Sequence, residues 1–96
     1  MAGKVRATIK AVLVEDRFNA WYARQPKINF TCGSSANCPI AVYLQRRLRR
    51  VVWVFYDRVR NQTRLWIMVR ERSGESYYQP PEWVCAFVKR FDNWNP

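Results

Sequence analysis

The feature that most constrains the fold of this chain is a pair of short apolar segments separated by a polar stretch. Val51 to Tyr56 is continuously apolar and consists of β-branched and aromatic residues, which is typical of a strand covered on both faces. Arg58 to Thr63 contains a turn, and Leu65 to Val69 is a second apolar run. Together they predict an antiparallel β-hairpin.

A helix is predicted immediately before this hairpin. Asn37 is a favourable N-cap, and Pro39 suits the first turn of a helix that continues to about Arg50. At about 100° per residue, one arc of this helix holds its apolar residues, Ile40, Ala41, Leu44 and Leu48. The other side holds four arginines, with Tyr43 among them: Arg46, Arg47, Arg49 and Arg50.

The N-terminal part of the chain predicts a strand followed by a helical turn. From Val5 to Leu13 the odd positions are apolar, which favours a half-buried strand, although Val5, Ile9 and Val12 also fit one side of a helix. Residues 15–25 predict a helical turn with Asp16 as its cap, ending before Pro26, and residues 28–30 predict a short strand.

The C-terminal part predicts an edge strand and a closing helix. Residues 73–76 are expected to form a loop, and residues 77–79 a short edge strand. Pro80 and Pro81 then open a helix over residues 81–91. One face of this helix collects its apolar residues, Trp83, Val84, Phe87, Val88 and Phe91.

These elements predict one domain over residues 1–96, of the α+β class: a small, mostly antiparallel sheet with two amphipathic helices packed on one face. The other face of the hairpin is then a candidate partner surface, formed by Val52, Val54, Trp66 and Met68. Either the Phe18–Phe30 segment or a second copy of the chain must cover it. A homodimer is favoured, because a short segment broken by Pro26 is a poor lid for two strands.

Charge is the largest departure from an average composition. The chain has 17 Lys and Arg against 7 Asp and Glu, a net charge of +10. Residues 46–72 hold nine arginines and two carboxylates, and therefore +7 of that total. This local excess predicts a surface for a polyanion such as DNA or RNA. The candidate nucleic-acid-binding residues are Arg46, Arg47, Arg49 and Arg50, with Tyr43 stacking on a base and Arg58, Arg60 and Arg64 extending the patch. The alternative is an ordinary solvated helix face.

The composition argues against an enzyme. With no histidine, the usual base of serine and cysteine nucleophiles is missing, and three cysteines fall short of a four-cysteine zinc site. The seven carboxylates match no nuclease motif, and three glycines form no phosphate-binding loop. We expect no catalytic residue, metal or cofactor. Cys38, at a helix start, is interpreted as a small packed residue in preference to a reactive thiol. A disulfide with Cys32 is disfavoured in a cytosolic protein.

Two segments resemble a group of small phage-encoded proteins of uncharacterised function. Residues 37–44, Asn-Cys-Pro-Ile-Ala-Val-Tyr-Leu, resemble that group's Cys-Pro-(Ile/Val)-Ala helix start. Residues 78–92, which begin with Tyr-Gln-Pro-Pro and end with Phe-Asp, are similar to its closing helix, and Glu15-Asp16 matches its acidic pair. The arginine cluster at residues 46–50 and the stretch at 21–30 depart from it. The resemblance implies a phage origin and action in a bacterial cytoplasm, and it carries over no catalytic residue.

Two functions therefore remain open. The first is a nucleic-acid-binding module of low sequence specificity. The second is an effector that binds a host or phage protein through the aromatic hairpin, with arginines steering the encounter. No apolar run reaches the length that crosses a bilayer, and the first residues lack a signal-peptide core, so a cytosolic protein without membrane contact is expected.

Overall fold

The structure is a computed structural model that describes residues 8–26, 30 and 36–94. Residues 8–12 are helical. The elements that follow are, in chain order, α1 (Glu15–Ala23), α2 (Pro39–Leu48), β1 (Val52–Val59), β2 (Gln62–Glu71), β3 (Gly74–Tyr78) and α3 (Glu82–Trp94). The predicted α+β class is confirmed, as are the hairpin, the arginine-bearing helix, the edge strand and the closing helix.

The three strands form an antiparallel sheet in the order β1-β2-β3. The first hairpin pairs Val52 with Val69 at its base and Val59 with Gln62 at its tip. Its two-residue turn places Arg60 and Asn61 at φ 51° and 64°, as a turn that matches the strand twist requires. The second hairpin pairs Ile67 with Tyr78 and Glu71 with Gly74.

Alternation along the strands separates two faces. The inner face carries aliphatic residues that are 0–6% exposed: Val52, Val54, Leu65, Ile67 and Val69. The helices cover this face, and α2 packs directly against β1. They contribute buried side chains to one continuous core, including Phe18, Ile40, Leu44, Val84 and Val88. The predicted packing of two amphipathic helices on one face is therefore confirmed.

The ends of α2 are held by side-chain and backbone contacts. The N-cap is Cys38, whose Sγ accepts a hydrogen bond from the Ala41 amide at 3.4 Å, so the predicted cap at Asn37 is wrong by one residue. Pro39 occupies the first turn, as predicted. At the other end the helix stops at Leu48, because Arg49 is left-handed at φ 55° and ψ 43°. Gln45 Nε2 donates to the carbonyl of Ala36 at 2.7 Å and to that of Val52 at 3.0 Å.

The N-terminal strand prediction is wrong. Residues 8–12 are helical, and the amide of Leu13 donates to the carbonyl of Ile9 at 2.7 Å, four residues back. Ile9 and Leu13 are buried, while Ala11 is exposed, although a strand would bury it with them. The spacing of four between Ile9 and Leu13 fits both conformations, so alternation alone misassigned the segment.

Three smaller differences concern the ends of elements. Helix α1 begins at Glu15 after Val14, and no side chain caps it, so Asp16 lies inside the first turn. The predicted loop at residues 73–76 is shorter: Arg72 and Ser73 form the turn, and β3 begins at Gly74. Of the predicted strand at 28–30, residues 28 and 29 lie outside the described residues, and Phe30 belongs to no strand.

Candidate nucleic-acid interface

Four arginines lie where α2 ends and the chain turns into the sheet. We call Arg46, Arg47, Arg49 and Arg50 the helix-end arginines, and all four are exposed. Two stand in the last turn of α2, where the helix dipole favours cations. Across the described ranges, Arg70 forms an ion pair with Glu75 at 3.5 Å, and no helix-end arginine lies within 4.0 Å of a carboxylate. A hydrogen bond from Ser76 and, at longer range, the charge of Arg50 both lower the pKa of Glu71. No close carboxylate therefore neutralises this group among the described residues.

The four side chains are not equivalent. The guanidinium of Arg47 lies 4.4 Å from the ring centroid of Tyr43, and that of Arg46 lies 5.8 Å from the ring centroid of Trp21. Arg46 Nη1 also donates to Gln25 Oε1 at 3.4 Å. These two arginines partly serve to cover core aromatics by cation–π contact. Arg49 and Arg50 make no such ring contact among the described residues.

Tyr43 does not stack on a base, and that prediction is wrong. Its side chain is 0% exposed, and its hydroxyl donates to the carbonyl of Val12 at 2.9 Å. Its ring meets Phe18 and Trp21 edge-on, each at 5.3 Å between centroids. The reason is that α1 covers this side of α2, so the buried arc of the helix is wider than a sheet contact alone requires.

A second group of arginines lies at the tip of the first hairpin. We call Arg58, Arg60 and Arg64 the hairpin-tip arginines, and all three are exposed. Arg64 Nη2 donates to Gln62 Oε1 at 3.3 Å. Val52 to Val59 spans seven residue steps, so the tip lies about 23 Å along β1 from the helix-end arginines at about 3.3 Å per step. The hairpin-tip arginines are thus a separate group and do not directly extend the first.

The predicted partner surface is split between the two faces of the sheet. Val52 and Val54 are 0% exposed on the inner face, paired with Val69 and Ile67. Trp66 and Met68 belong to the outer face. The prediction that these four residues form one surface is therefore wrong, because adjacent positions in a strand point to opposite faces.

The outer face carries aromatic residues that the sequence prediction missed. Trp53 pairs with Met68, which pairs with Tyr77, and Phe55 pairs with Trp66. We call these five residues the aromatic face. Trp53 and Tyr77 are each 43% exposed, whereas Met68 is 8% exposed, as expected on a central strand between two large neighbours. The sequence does contain a signal for this placement. Side chains alternate between faces along a strand, so Trp53 and Phe55 lie on the face opposite Val52 and Val54.

The Phe18–Phe30 segment was the alternative lid for the outer face, but its described residues lie in the helix layer, and residues 27–29 lie outside the described residues. Phe18 contacts Phe87 with ring centroids 4.8 Å apart and Trp83 at 5.7 Å. Trp21 contacts Phe30 at 6.0 Å. The segment therefore packs with α2 and α3 on the covered side of the sheet, and this lid prediction is wrong.

The aromatic face is not flat. Phe55 and Tyr77 meet at 6.1 Å between ring centroids with their planes at 81°. Beside them is an open depression of about 440 Å³ lined by Phe55, Asp57, Trp66 and Tyr77. The Tyr77 hydroxyl donates to Glu75 Oε2 at 2.8 Å, and this hydrogen bond raises the pKa of Tyr77. The phenol therefore stays protonated and its ring is tethered over the sheet.

The two described cysteines occupy packed positions. Cys38 is 1% exposed within the core, and Cys85 is half-buried. Burial raises the pKa of the Cys85 thiol, which disfavours the reactive thiolate. Cys32 lies outside the described residues. In the part of the chain that the structure describes, no three side chains of the Cys, Asp or Glu type gather into a metal site.

No helix among residues 8–26 and 36–94 is long and apolar enough to span a membrane. Comparison of the chain with protein-family models, with curated proteins and with solved structures finds no match. Functional interpretation therefore depends on the arginines and the aromatic face themselves.

Proposed function

We propose that this protein binds DNA or RNA with low sequence specificity, through contacts between the helix-end arginines and the phosphate backbone. The observation that carries the proposal is that these four arginines are exposed together and that none lies within 4.0 Å of a carboxylate in the described ranges. Arginine suits the task because its planar guanidinium stays charged and binds phosphate oxygens in a bidentate manner.

Backbone strain supports the same interpretation. The non-glycine residues with positive φ in the described chain are Arg49, Arg60 and Asn61. A left-handed conformation costs an L-residue about 1–2 kcal/mol, and glycine or asparagine adopts it more easily. Each arginine group thus keeps one arginine at a position where a different residue would be more stable. Retained strain of this kind is characteristic of functional sites.

Arg49 and Arg50 are expected to make the main phosphate contacts. The guanidinium groups of Arg46 and Arg47 already lie over aromatic rings, so they reach a phosphate only by leaving or sharing those contacts. Binding should weaken steeply as salt rises, because each phosphate contact releases counterions.

The test is a triple variant in which Arg46, Arg49 and Arg50 are replaced by Gln. We expect it to fold normally, since all three are exposed, and to bind nonspecific nucleic acid about tenfold or more weakly at low salt. The matched control replaces three exposed cations outside the group, Arg17, Lys89 and Arg90, with Gln. It lowers the net charge equally and should lose much less affinity. Equal retention of all three proteins on heparin and DNA columns would refute the proposal.

The resemblance of residues 37–44 and 78–92 to small phage-encoded proteins supports a setting for this activity. We place the binding in the cytoplasm of a phage-infected bacterium, where DNA and RNA are both accessible. A pull-down from bacterial lysate with and without nuclease treatment tests this setting. Captured proteins that disappear after nuclease treatment would be bridged by nucleic acid, whereas captured proteins that persist would favour a protein-binding effector.

A further inference from the structure

The aromatic face lies between two groups of positive charge. At one end of the sheet are Arg49 and Arg50, between α2 and β1, together with Arg70 in β2 and Arg72 just after it. At the other end are the hairpin-tip arginines. Trp53 is three residues beyond Arg50, so the exposed indole begins where the first group stops. The rings of the aromatic face therefore lie between the two arginine groups.

The centre of this surface is electrically balanced. Arg70 pairs with Glu75 at 3.5 Å, and Asp57 stands directly opposite Arg64 in the register. The ends are not balanced. At the helix end Arg49, Arg50 and Arg72 outnumber Glu71, and at the tip Arg58 and Arg60 add two further positive charges. The surface thus combines a neutral aromatic floor with basic ends.

We propose that the aromatic face is a stacking site for the bases of single-stranded nucleic acid, whose phosphates contact the arginines at both ends. This inference rests on the proposed function and assigns its substrate class. Bases stack on aromatic side chains regardless of sequence, because every base has a π-face. The floor offers Trp53 and Tyr77, each 43% exposed, and a depression of about 440 Å³ beside Trp66. The distance of about 23 Å between the two groups suits a short single-stranded site, of about four nucleotides or more.

Charge argues against a second copy of the chain as the occupant. If two copies met through this face with a two-fold axis parallel to the strands, each arginine group would face its own copy. With the axis across the strands, the helix-end arginines would face the hairpin-tip arginines. Arginines meet arginines in both arrangements, and like charges across an interface are unfavourable. A polyanion instead brings negative charge to the arginines at both ends, which is favourable.

A duplex is also a poorer occupant, because its bases are stacked inside the helix and their faces are hidden. The wild-type protein should therefore bind a labelled single-stranded oligothymidine at least about tenfold more tightly than a duplex of the same length at equal salt. Fluorescence anisotropy across a salt series gives both the affinity and the salt slope.

The variants separate stacking from charge. Trp53→Ala and Tyr77→Ala should each weaken single-strand binding by about fivefold or more without changing the salt slope. Trp53→Phe and Tyr77→Phe keep a ring and should retain most of the affinity. The arginine triple variant should instead reduce the salt slope by about two to three units. Circular dichroism shows whether each variant folds. If an alanine variant does not fold, the phenylalanine variants, which keep a ring, provide the test.

The possible results distinguish this inference from the proposed function on which it rests. Tight binding to both nucleic acids, unaffected by Trp53→Ala and Tyr77→Ala, would overturn the stacking site and leave phosphate binding standing. Absence of binding to either nucleic acid would overturn the proposed function. Light scattering that gives about twice the 11.5 kDa chain mass, and returns to one chain mass in Trp53→Ala, would identify a second copy as the occupant and overturn the stacking site.

Discussion

The two faces of the sheet are both apolar, yet they differ in chemistry and in what covers them. The inner face of β1 and β2 is built from Val, Leu and Ile, and the helices bury it. The outer face of the same strands carries Trp53, Phe55 and Trp66 at its centre, joined by Tyr77 of β3, and it remains partly exposed. Branched aliphatic side chains interdigitate with the side chains of helices. A flat ring can instead pack on one side and leave its other side exposed to a ligand.

This difference suggests how to distinguish a face that stabilises a fold from a face that binds a ligand. Exposed aromatic patches on a sheet carry a risk of association, and such patches often mark interaction sites. If the inner face stabilises and the outer face binds, substitutions should affect stability on one face and affinity on the other.

The largest difference is expected between a buried and an exposed strand residue. Ile67→Ala should lower the free energy of unfolding by about 2–5 kcal/mol, because Ile67 is 0% exposed and its loss leaves a cavity. Trp53→Ala should lower it by about 1 kcal/mol or less, the range of a cross-strand pair. Urea unfolding of both variants provides the measurement. Equal losses would mean that the outer face is also part of the core.

The helix layer over the inner face depends on the start of α2. Cys38→Ala should lower the free energy of unfolding by about 1–2 kcal/mol, because Cys38 is buried and its Sγ accepts the Ala41 amide. Nucleic-acid binding should be unchanged. Cys85→Ala, at a half-buried position, serves as the control and should cost less. Rapid labelling of Cys38 by a thiol probe in the folded protein at neutral pH would contradict this packing role.

The two kinds of helix-end arginine should separate in stability measurements. Arg47→Gln should cost about 0.5–1 kcal/mol, because its guanidinium lies 4.4 Å from the Tyr43 ring centroid. Arg49→Gln should cost close to nothing, because Arg49 makes no ring contact and glutamine meets the same left-handed backbone. In binding assays the order should reverse, with Arg49→Gln the more harmful. Thermal unfolding and anisotropy on the same samples test both halves of this expectation.

The smallest effect concerns two adjacent tyrosines on opposite faces. The hydrogen bond to Glu75 raises the pKa of Tyr77, while burial raises the pKa of Tyr78, each from an ordinary 10.0. The folded chain then retains protons that the unfolded chain releases, so stability falls as the pH rises above about 10 toward the folded pKa values. Glu75→Gln should return the pKa of Tyr77 toward its ordinary value and leave that of Tyr78 raised. NMR titration of the two rings would show the expected difference, and a parallel fall of both values would contradict it.

Much of the fold could be predicted because local signals agree with the global arrangement. The hairpin is set by two apolar runs around a polar turn, and α2 and α3 are set by helical periodicity with proline at the start. The N-terminal segment was misassigned because Ile9 and Leu13 satisfy both periods. Nothing local distinguishes them. The helix forms because tertiary packing buries that pair.

The candidate site was only partly predictable, since it depends on register and on neighbours distant in sequence. The exposed arginines followed from charge, but Tyr43 was misplaced because α1 comes from 20 or more residues earlier and covers it. The partner surface was mixed because Val52 and Trp66 were grouped by composition without a register. A register shift of one residue moves every side chain of a strand to the opposite face. Residues of two strands can therefore be assigned to one face only when the strand pairing is known.

The order β1-β2-β3 leaves β1 at one edge of the sheet, and that position matters for the chain before it has folded. Residues 51–56 are six consecutive apolar residues without proline, the kind of segment that assembles into intermolecular β-structure. Arg49 and Arg50 precede this segment, and Arg58 and Arg60 follow it. Charges on both flanks act as gatekeepers that keep such segments from adding to one another. The arginines proposed to bind nucleic acid should therefore also protect nascent chains from aggregation, and variants that remove them should be expressed and assayed at low concentration.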